Sequence, residues 1–238
     1  MEIIPVIDLL DHQVVHARHG ERERYRPITS SLCSSSEPLP IMDALLALHP
    51  FRQIYIADIN AIQKRGGHDG IIKNWVEQYP DIDLWLDNGI AGKSQLGQWQ
   101  IPGISCIIGS ENLASKNELH GILDHHRKTV ILSLDSNRSG QLGPAGLAED
   151  AEYWPDKVIV MTLNKVGSLL GPDFSYLEKI LGLARKQSSD IHVYAAGGIR
   201  NMDDLLQLRD LGITGALVAT ALHNGSITAA EVAELSGA

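Results

Sequence analysis

The chain carries eight short, continuously apolar runs rich in β-branched residues, at 3–8, 53–58, 83–87, 104–108, 130–134, 157–162, 191–196 and 215–219. A strand with one wet face alternates apolar and polar residues. An uninterrupted apolar run reads instead as a strand buried on both faces, the condition of a parallel sheet. Between most runs lies a helical pattern. In PDFSYLEKILGLARK, Phe174, Leu177, Ile180, Leu181 and Ala184 recur at steps of three and four and define one apolar face. RNMDDLLQLRDLG opens on Asn201, Asp203 and Asp204, suited to a helix start, and closes on Gly212 as a helix stop. Further helical segments are expected at 41–48, 69–79, 93–98 and 116–127, with a short one near 146–153. Eight strand–helix units in 238 residues match one (β/α)8 barrel domain over 1–238, a fold that typically takes about 250 residues. A doubly wound open sheet is the competing arrangement.

The chain also resembles itself, which favours the barrel. LWLDNGIAGKSQL followed by ISCIIGSENL has its counterpart in VYAAGGIRNMDDL followed by ITGALVATAL. YIADINAI corresponds loosely to IVMTLNKV, and the acids ending the first and fifth runs, Asp8 in PVIDL and Asp135 in LSLDS, also correspond. Four strand–helix units used twice close naturally into an eightfold ring, a half-barrel duplication.

In such a barrel the strand-to-helix turns form the carboxyl-terminal face, where active sites lie. Glycine there permits a sharp bend and leaves the backbone amide open to a ligand. Amides at the start of a helix favour a phosphate. The turn at Asn88 and Gly89 is therefore expected to pair with Gly109 and Ser110 as one phosphate cradle. Gly197 and Gly198 are expected to pair with Ala219 and Thr220 as a second one across the mouth. The ligand so implied carries two phosphate groups at opposite ends.

Composition excludes several classes. A formal net charge of −9 argues against a general nucleic-acid binder. No apolar run approaches the ~18 residues of a membrane span, and MEIIPVIDLL does not read as a secretory signal. Cys33 and Cys106 form neither metal-type spacing nor a disulfide framework, so a cytoplasmic protein is expected. His12, His16 and His19 have a spacing that completes no metal site, and no metal is expected there. The segment HGERERYRPITSSLCSSSEP, at 19–38, is long, polar and arginine-rich, suited to cover an anionic ligand. Arg18, Arg22, Arg24 and Arg26 are its candidate contacts, alternatively a solvated charged surface. Asp58 and Asn60, ending the second run, are candidates for a sugar hydroxyl, and Gly167 after the sixth is a further candidate contact. His125 and His126 read as helix surface.

Taken together, IIPVIDLLDHQVVHARHGE, YIADINAI, LDNGI, IIGSENL, LSLD, TLNKVGSLLGPD, AAGGIRNMDDL and LVATALHNG resemble the histidine-biosynthesis barrels of the HisA/HisF type, over residues 2–227. The resemblance implies a half-barrel duplication that uses no metal or organic cofactor and binds a substrate phosphorylated at both ends. It further implies, for the isomerase branch, an aldose-to-ketose (Amadori) rearrangement of a phosphoribosyl compound. In that reaction Asp8 would be the base, Asp135 the acid and Thr162 a substrate-positioning group. Several positions depart from the isomerase pattern. Asp87-Asn88-Gly89 stands where three glycines are usual, and Val218-Ala219-Thr220 lacks the usual glycine and basic residue. Gly143-Pro144 stands where Gly-Trp would stack on the imidazole, and Val166 precedes Gly167 where an acid is usual. A branch of the family from methanogens and methylotrophs shares the long first loop and the LNKVGSLLGPD segment. It implies instead a different phosphorylated substrate in one-carbon cofactor (methanopterin or methanofuran) synthesis. A third expectation is a non-catalytic phosphate-ligand-binding barrel acting with a partner enzyme; a homo-oligomer is also open.

Overall fold

The computed structural model describes residues 1–168 and 170–237. Leu169, inside the quoted strand-six segment, and Ala238 lie outside the described residues. Eight parallel strands form the frame: β1 (Glu2–Leu10), β2 (Gln53–Asp58), β3 (Asp83–Asp87), β4 (Ile104–Gly109), β5 (Val130–Asn137), β6 (Lys157–Thr162), β7 (His192–Ala196) and β8 (Gly215–Val218). Each pairs with the next in chain order, and β8 returns to pair with β1, Ile4 opposite Leu217, which closes the sheet into a (β/α)8 barrel. The apolar runs marked in the sequence coincide with these strands to within two or three residues at either end.

Continuous apolarity has two destinations here. Every strand sends at least one residue inward to fill the barrel: Ile4, Tyr55, Trp85, Ile107, Ile131, Ile159, Tyr194 and Leu217 belong to one buried cluster, in which Trp85 and Tyr194 meet edge to face with centroids 4.9 Å apart. Their neighbours, such as Ile7, Ile56, Leu86 and Ile108, point outward into the layer beneath the helices. Full burial of side chains this size is worth about 1.5–3 kcal/mol each, so the inner plug is a main source of ring stability.

The helices follow their sequence signals. α1 (Pro38–Leu48), α2 (Asp69–Gln78), α3 (Lys116–His126), α4 (Phe174–Gln187) and α5 (Met202–Leu211) lie close to their expected positions. The expected segment at 93–98 is a single α-turn, Lys93–Leu96, run into a 3-10 turn. α4 is capped by Asp173, whose side chain accepts from the Tyr176 amide, and buries Leu177, Ile180, Leu181 and Ala184. Asn201 caps α5, and Gly212 ends it at φ +94°, the left-handed geometry a glycine adopts cheaply. α6 (Ala229–Ser236) was not marked in the sequence. Its signal is a Thr228–Glu231 capping box, with both reciprocal bonds made. Among the described residues between β5 and β6 there is no α-helix; a two-residue strand, Gly140–Gln141, pairs back on β5, and two 3-10 turns follow, Leu147–Glu149 and Ala151–Tyr153.

After β1 the chain doubles back as a strand, Gln13–His16, antiparallel to it, with Asp8 opposite Val15. A two-residue strand, Arg26–Pro27, pairs with that return strand. This excursion folds over the carboxyl-terminal mouth. Among the described residues no helix is long and apolar enough to cross a membrane.

Candidate active site

A cavity of about 300 Å³ opens at the carboxyl-terminal ends of the strands. Its apolar floor comes from the uppermost inward residues, including Val6, Tyr55, Ala57, Met161 and Leu217. Four carboxyl side chains face it: Asp8 from β1, Asp87 from β3, Glu111 just past β4 and Asp135 from β5. One arginine enters, Arg22 of the excursion, paired with Glu111 at 2.7 Å. Of the four candidate arginines it alone lines the cavity. Arg18 is exposed, Arg24 pairs with Glu21, and Arg26 binds the carbonyls of Glu23 and Tyr25. Tyr25, which carried no signal of its own in the sequence, is buried against the same space.

The acids are perturbed together. Burial, and then the Asp87 charge, push the Asp8 carboxyl up to about 7. No hydrogen bond to the Asp8 carboxyl is made among the described residues. Asp135 is also pushed up to about 7, by burial with the Asp87 and Glu111 charges, against the opposing bond from Ser133. It is held firmly: Ser133 Oγ donates to Oδ1 at 2.6 Å, while Ser110 Oγ and the Glu111 amide donate to Oδ2 at 3.2 Å each. Asp87 rises to about 6, chiefly by burial, although Tyr55 Oη donates to it at 2.9 Å. Carboxyls poised near neutrality in a cleft are a mark of acid–base sites.

The two expected phosphate cradles fare differently. Gly197, Gly198, Ala219 and Thr220 all line the cavity, as does Gly167. Gly197 and Gly198 sit at φ +99° and +89°, and a Cβ on them would lie 2.6 Å from the Thr162 carbonyl and 2.5 Å from the Gly171 carbonyl. Both glycines are thus required by close backbone packing as well as open to a ligand. Asn88, Gly89, Gly109 and Ser110 do not line the cavity. The donors of the second turn point inward to Asp135, and Gly143 lies against the Ser110 carbonyl, covering it. The Gly89 amide turns back to Asp87 at 3.3 Å.

Strand register explains the contrast, because it lets the two halves be compared residue by residue. Asp8 lies opposite Ala57, which lies opposite Asp87; Asp135 lies opposite Met161, which lies opposite Ala196. Asp87 therefore takes in the first half the place of Ala196 in the second. By the same register Cys106 matches Ala216, so Glu111 matches Ala221. The first-half turns carry acids where the second-half turns carry alanines.

Three further expected contacts lie off the cavity. Asp58 is fully buried and spends its carboxylate on the chain: it accepts from the Ala61 amide, the His68 amide at 2.6 Å and His68 Nδ1 at 2.8 Å. Burial opposes its ionisation, but those bonds prevail and hold it below the ordinary carboxylate range. Asn60 clamps the turn after β1, bonding the amide and the carboxylate of Asp11. Thr162 is buried between the cavity residues Met161 and Leu163 without lining it. His12, His16 and His19 bond three separate partners, and no group of three or more metal-ligating side chains occurs among the described residues.

A closed parallel barrel with carboxyls and glycine turns gathered around a cavity at its mouth is a (β/α)8 barrel, the class whose active sites lie at the carboxyl-terminal face. The sequence profile described as "Histidine biosynthesis protein" matches residues 2–228, and the chain belongs to that family. An uncharacterized protein of Methanocaldococcus jannaschii is 30% identical over 98% of this chain and 97% of its own. Phosphoribosyl imidazole-4-carboxamide isomerases of Caldanaerobacter subterraneus and Listeria welshimeri are 27% and 26% identical, over 95% and 99% of this chain and 94% and 98% of theirs.

Proposed function

We propose that the protein is an aldose–ketose isomerase of a phosphorylated sugar derivative, using Asp8 and Asp135 as its acid–base pair. The observation that carries this reading is that both carboxyls open on one cavity from strands half a ring apart, each raised to about 7. A general base must be ionised and a general acid protonated at the same pH. Two carboxyls each raised to about 7 can meet both conditions, one ionised while the other is protonated. The isomerase activity named for the bacterial relatives supports the reaction class.

The chemistry balances without a redox partner. Asp135 gives its proton to the furanose ring oxygen as the C1–O bond breaks, and the nitrogen lone pair on C1 forms a C=N bond. Asp8 takes the proton from C2, the C2–H electron pair forms a C1=C2 bond, and the C=N π pair returns to nitrogen. Return of a proton to C1 and loss of the O2 proton leave the ketone. Phosphate is held by the Gly197–Gly198 and Ala219–Thr220 turns.

A second reading concerns the substrate, and Asp87 and Glu111 favour it. A second phosphate at the β3 and β4 turns would meet two acids, an unfavourable pairing of like charges, and amides already bonded to Asp87 and Asp135. Together with the likeness to the uncharacterized methanogen protein, this supports a substrate phosphorylated at one end only, different from that of the relatives. A turnover assay with the relatives' bisphosphorylated compound separates the two: conversion supports the shared substrate, binding without conversion or no binding supports the altered one. For any substrate turned over, Asp8→Asn should stop exchange of its C2 proton with solvent deuterium, and Asp135→Asn should slow turnover by about 10²–10⁴-fold. Full activity in either folded variant would remove that residue from the mechanism.

A further inference from the structure

Beside the main cavity lies a side chamber of about 60 Å³, walled by the return strand, the excursion and the turn after β8. The two spaces share Asp8, Ala17, Gly167 and Thr220 among their walls, so the chamber opens onto the catalytic side at Asp8. Its distinctive wall is His223, 3% exposed, at the end of the short helix Thr220–His223. His223 Nε2 is buried and has no hydrogen-bond partner. A buried polar atom left unpaired is costly, so a native structure that keeps one has a use for it or fills it on binding.

The surrounding bonds favour one tautomer of His223. Its Nδ1 lies 2.9 Å from Ser30 Oγ. That oxygen accepts from the Leu32 amide at 3.0 Å, and among the described residues Nδ1 is the one acceptor its own hydrogen meets. With that hydrogen donated to Nδ1, the proton of the neutral ring is on Nε2, a buried donor on a residue that lines the chamber. The ring is kept neutral near pH 7, since burial and then His16 push it down to about 4. It is also immobile: the His223 carbonyl accepts from the amide and hydroxyl of Ser31 at 2.7 and 2.9 Å. The other histidine, His16, is engaged with Thr220 Oγ1 at 2.9 Å.

No lysine or arginine lines the chamber, while Asp8 does. An anionic group would lack a counter-charge there, and an ammonium group would meet the His223 donor. A hydroxyl suits both ends, because it can accept from His223 and donate to a carboxylate. We propose that the side chamber is a subsite for a hydroxyl group of the substrate, seated next to the carbon on which Asp8 acts, with His223 Nε2–H as its donor. The proposal rests on the sugar-phosphate reading and extends it to specificity.

The test uses two probes on the whole protein: D-ribose 5-phosphate, and ethyl phosphate, which has the ester but no hydroxyl. Imidazole 15N resonances and calorimetric affinities are followed for both. Ribose 5-phosphate should bind more tightly and move the His223 Nε2 resonance, whereas ethyl phosphate should not move it. His223→Leu should weaken ribose 5-phosphate by about tenfold and ethyl phosphate by less than about twofold, with His223→Gln recovering most of the loss. If a variant fails to fold, the wild-type resonances decide. Binding of ribose 5-phosphate that leaves His223 unmoved overturns the subsite alone. Failure of both probes to bind overturns the phosphate site and the subsite with it.

Discussion

The charge of Asp87 is the perturbation with the clearest consequence for the acid–base pair. Asp8 and Asp87 lie at one level of the barrel with only Ala57 between them. Two strand spacings of about 4.8 Å put their backbones about 10 Å apart. Two unit charges at that separation interact by about 1.7 kcal/mol at an effective dielectric of 20 and about 0.4 in water. Divided by 1.36 kcal/mol per pH unit, this is about 0.3–1.2 pH units. Asp87→Asn keeps an oxygen to accept from Tyr55 and removes the charge, so the Asp8 carboxyl should titrate at lower pH by that amount. Asp135 should move the same way, because Asp87 acts on it too. Burial remains the larger cause, so neither should return to an ordinary carboxylate value. The assay is a carboxyl 13C titration of the apoprotein with Asp8→Asn and Asp135→Asn as assignments, which needs no substrate. The reasoning fails if Asp8 titrates near 4 in the wild type, or if Asp87→Asn leaves it unmoved or raises it.

The same raised values tie stability to pH with a definite sign. Carboxyls whose folded pKa is above the unfolded one hold more protons when folded, so their contribution is full below about pH 4 and lost as pH rises toward 7. Asp8→Asn should therefore stabilise the fold at pH 8 by about 1–2 kcal/mol and leave it unchanged at pH 4 in urea melts; an equal effect at both would contradict the titration argument. Asp58→Ala should cost about 3–5 kcal/mol, since it strands the buried donors of His68 and Ala61. A loss of activity with an unchanged melting temperature would instead return Asp58 to the substrate. Gly197→Ala should lower stability by about 2–5 kcal/mol from its positive φ and the Thr162 carbonyl. Gly182→Ala, inside α4 with nothing within 4 Å of the new methyl, should raise it by about 0.5–1 kcal/mol.

The barrel was legible because burial on both faces of a parallel strand writes itself as unbroken apolar runs, and because helix caps are local. The excursion strands and α6 were less so. The strands Gln13–His16 and Arg26–Pro27 are held by long-range pairing rather than pattern. α6 did have a local sign, the Thr-x-x-Glu box. Within the site, a position at a strand end shows that a residue reaches the mouth, and this brought Asp8 and Asp135 to one cavity. It does not show what else competes for that residue. Asp58 ends β2 as Asp8 approaches the end of β1, yet a histidine ten residues later claims its carboxylate. Ser110 follows a strand-ending glycine at the position matched by Thr220, yet its hydroxyl serves Asp135.

The duplication makes that competition interpretable. Two halves in the same strand register place matched residues at matched strand ends, so their differences can be compared position by position. The first half holds Asp87 and Glu111 where the second holds Ala196 and Ala221, and its turn amides are spent inside the protein. The second half leaves its glycines facing the cavity. A ligand alike at both ends would favour equivalent sites and no such divergence. An acid introduced beside a bare phosphate cradle would repel the phosphate, whereas beside a proton-transferring pair it raises their pKa values toward neutrality. On the proposed function, the asymmetry gives the halves different work: the second grips the anion, and the first, through Asp87 and Glu111, tunes the carboxyls that move protons.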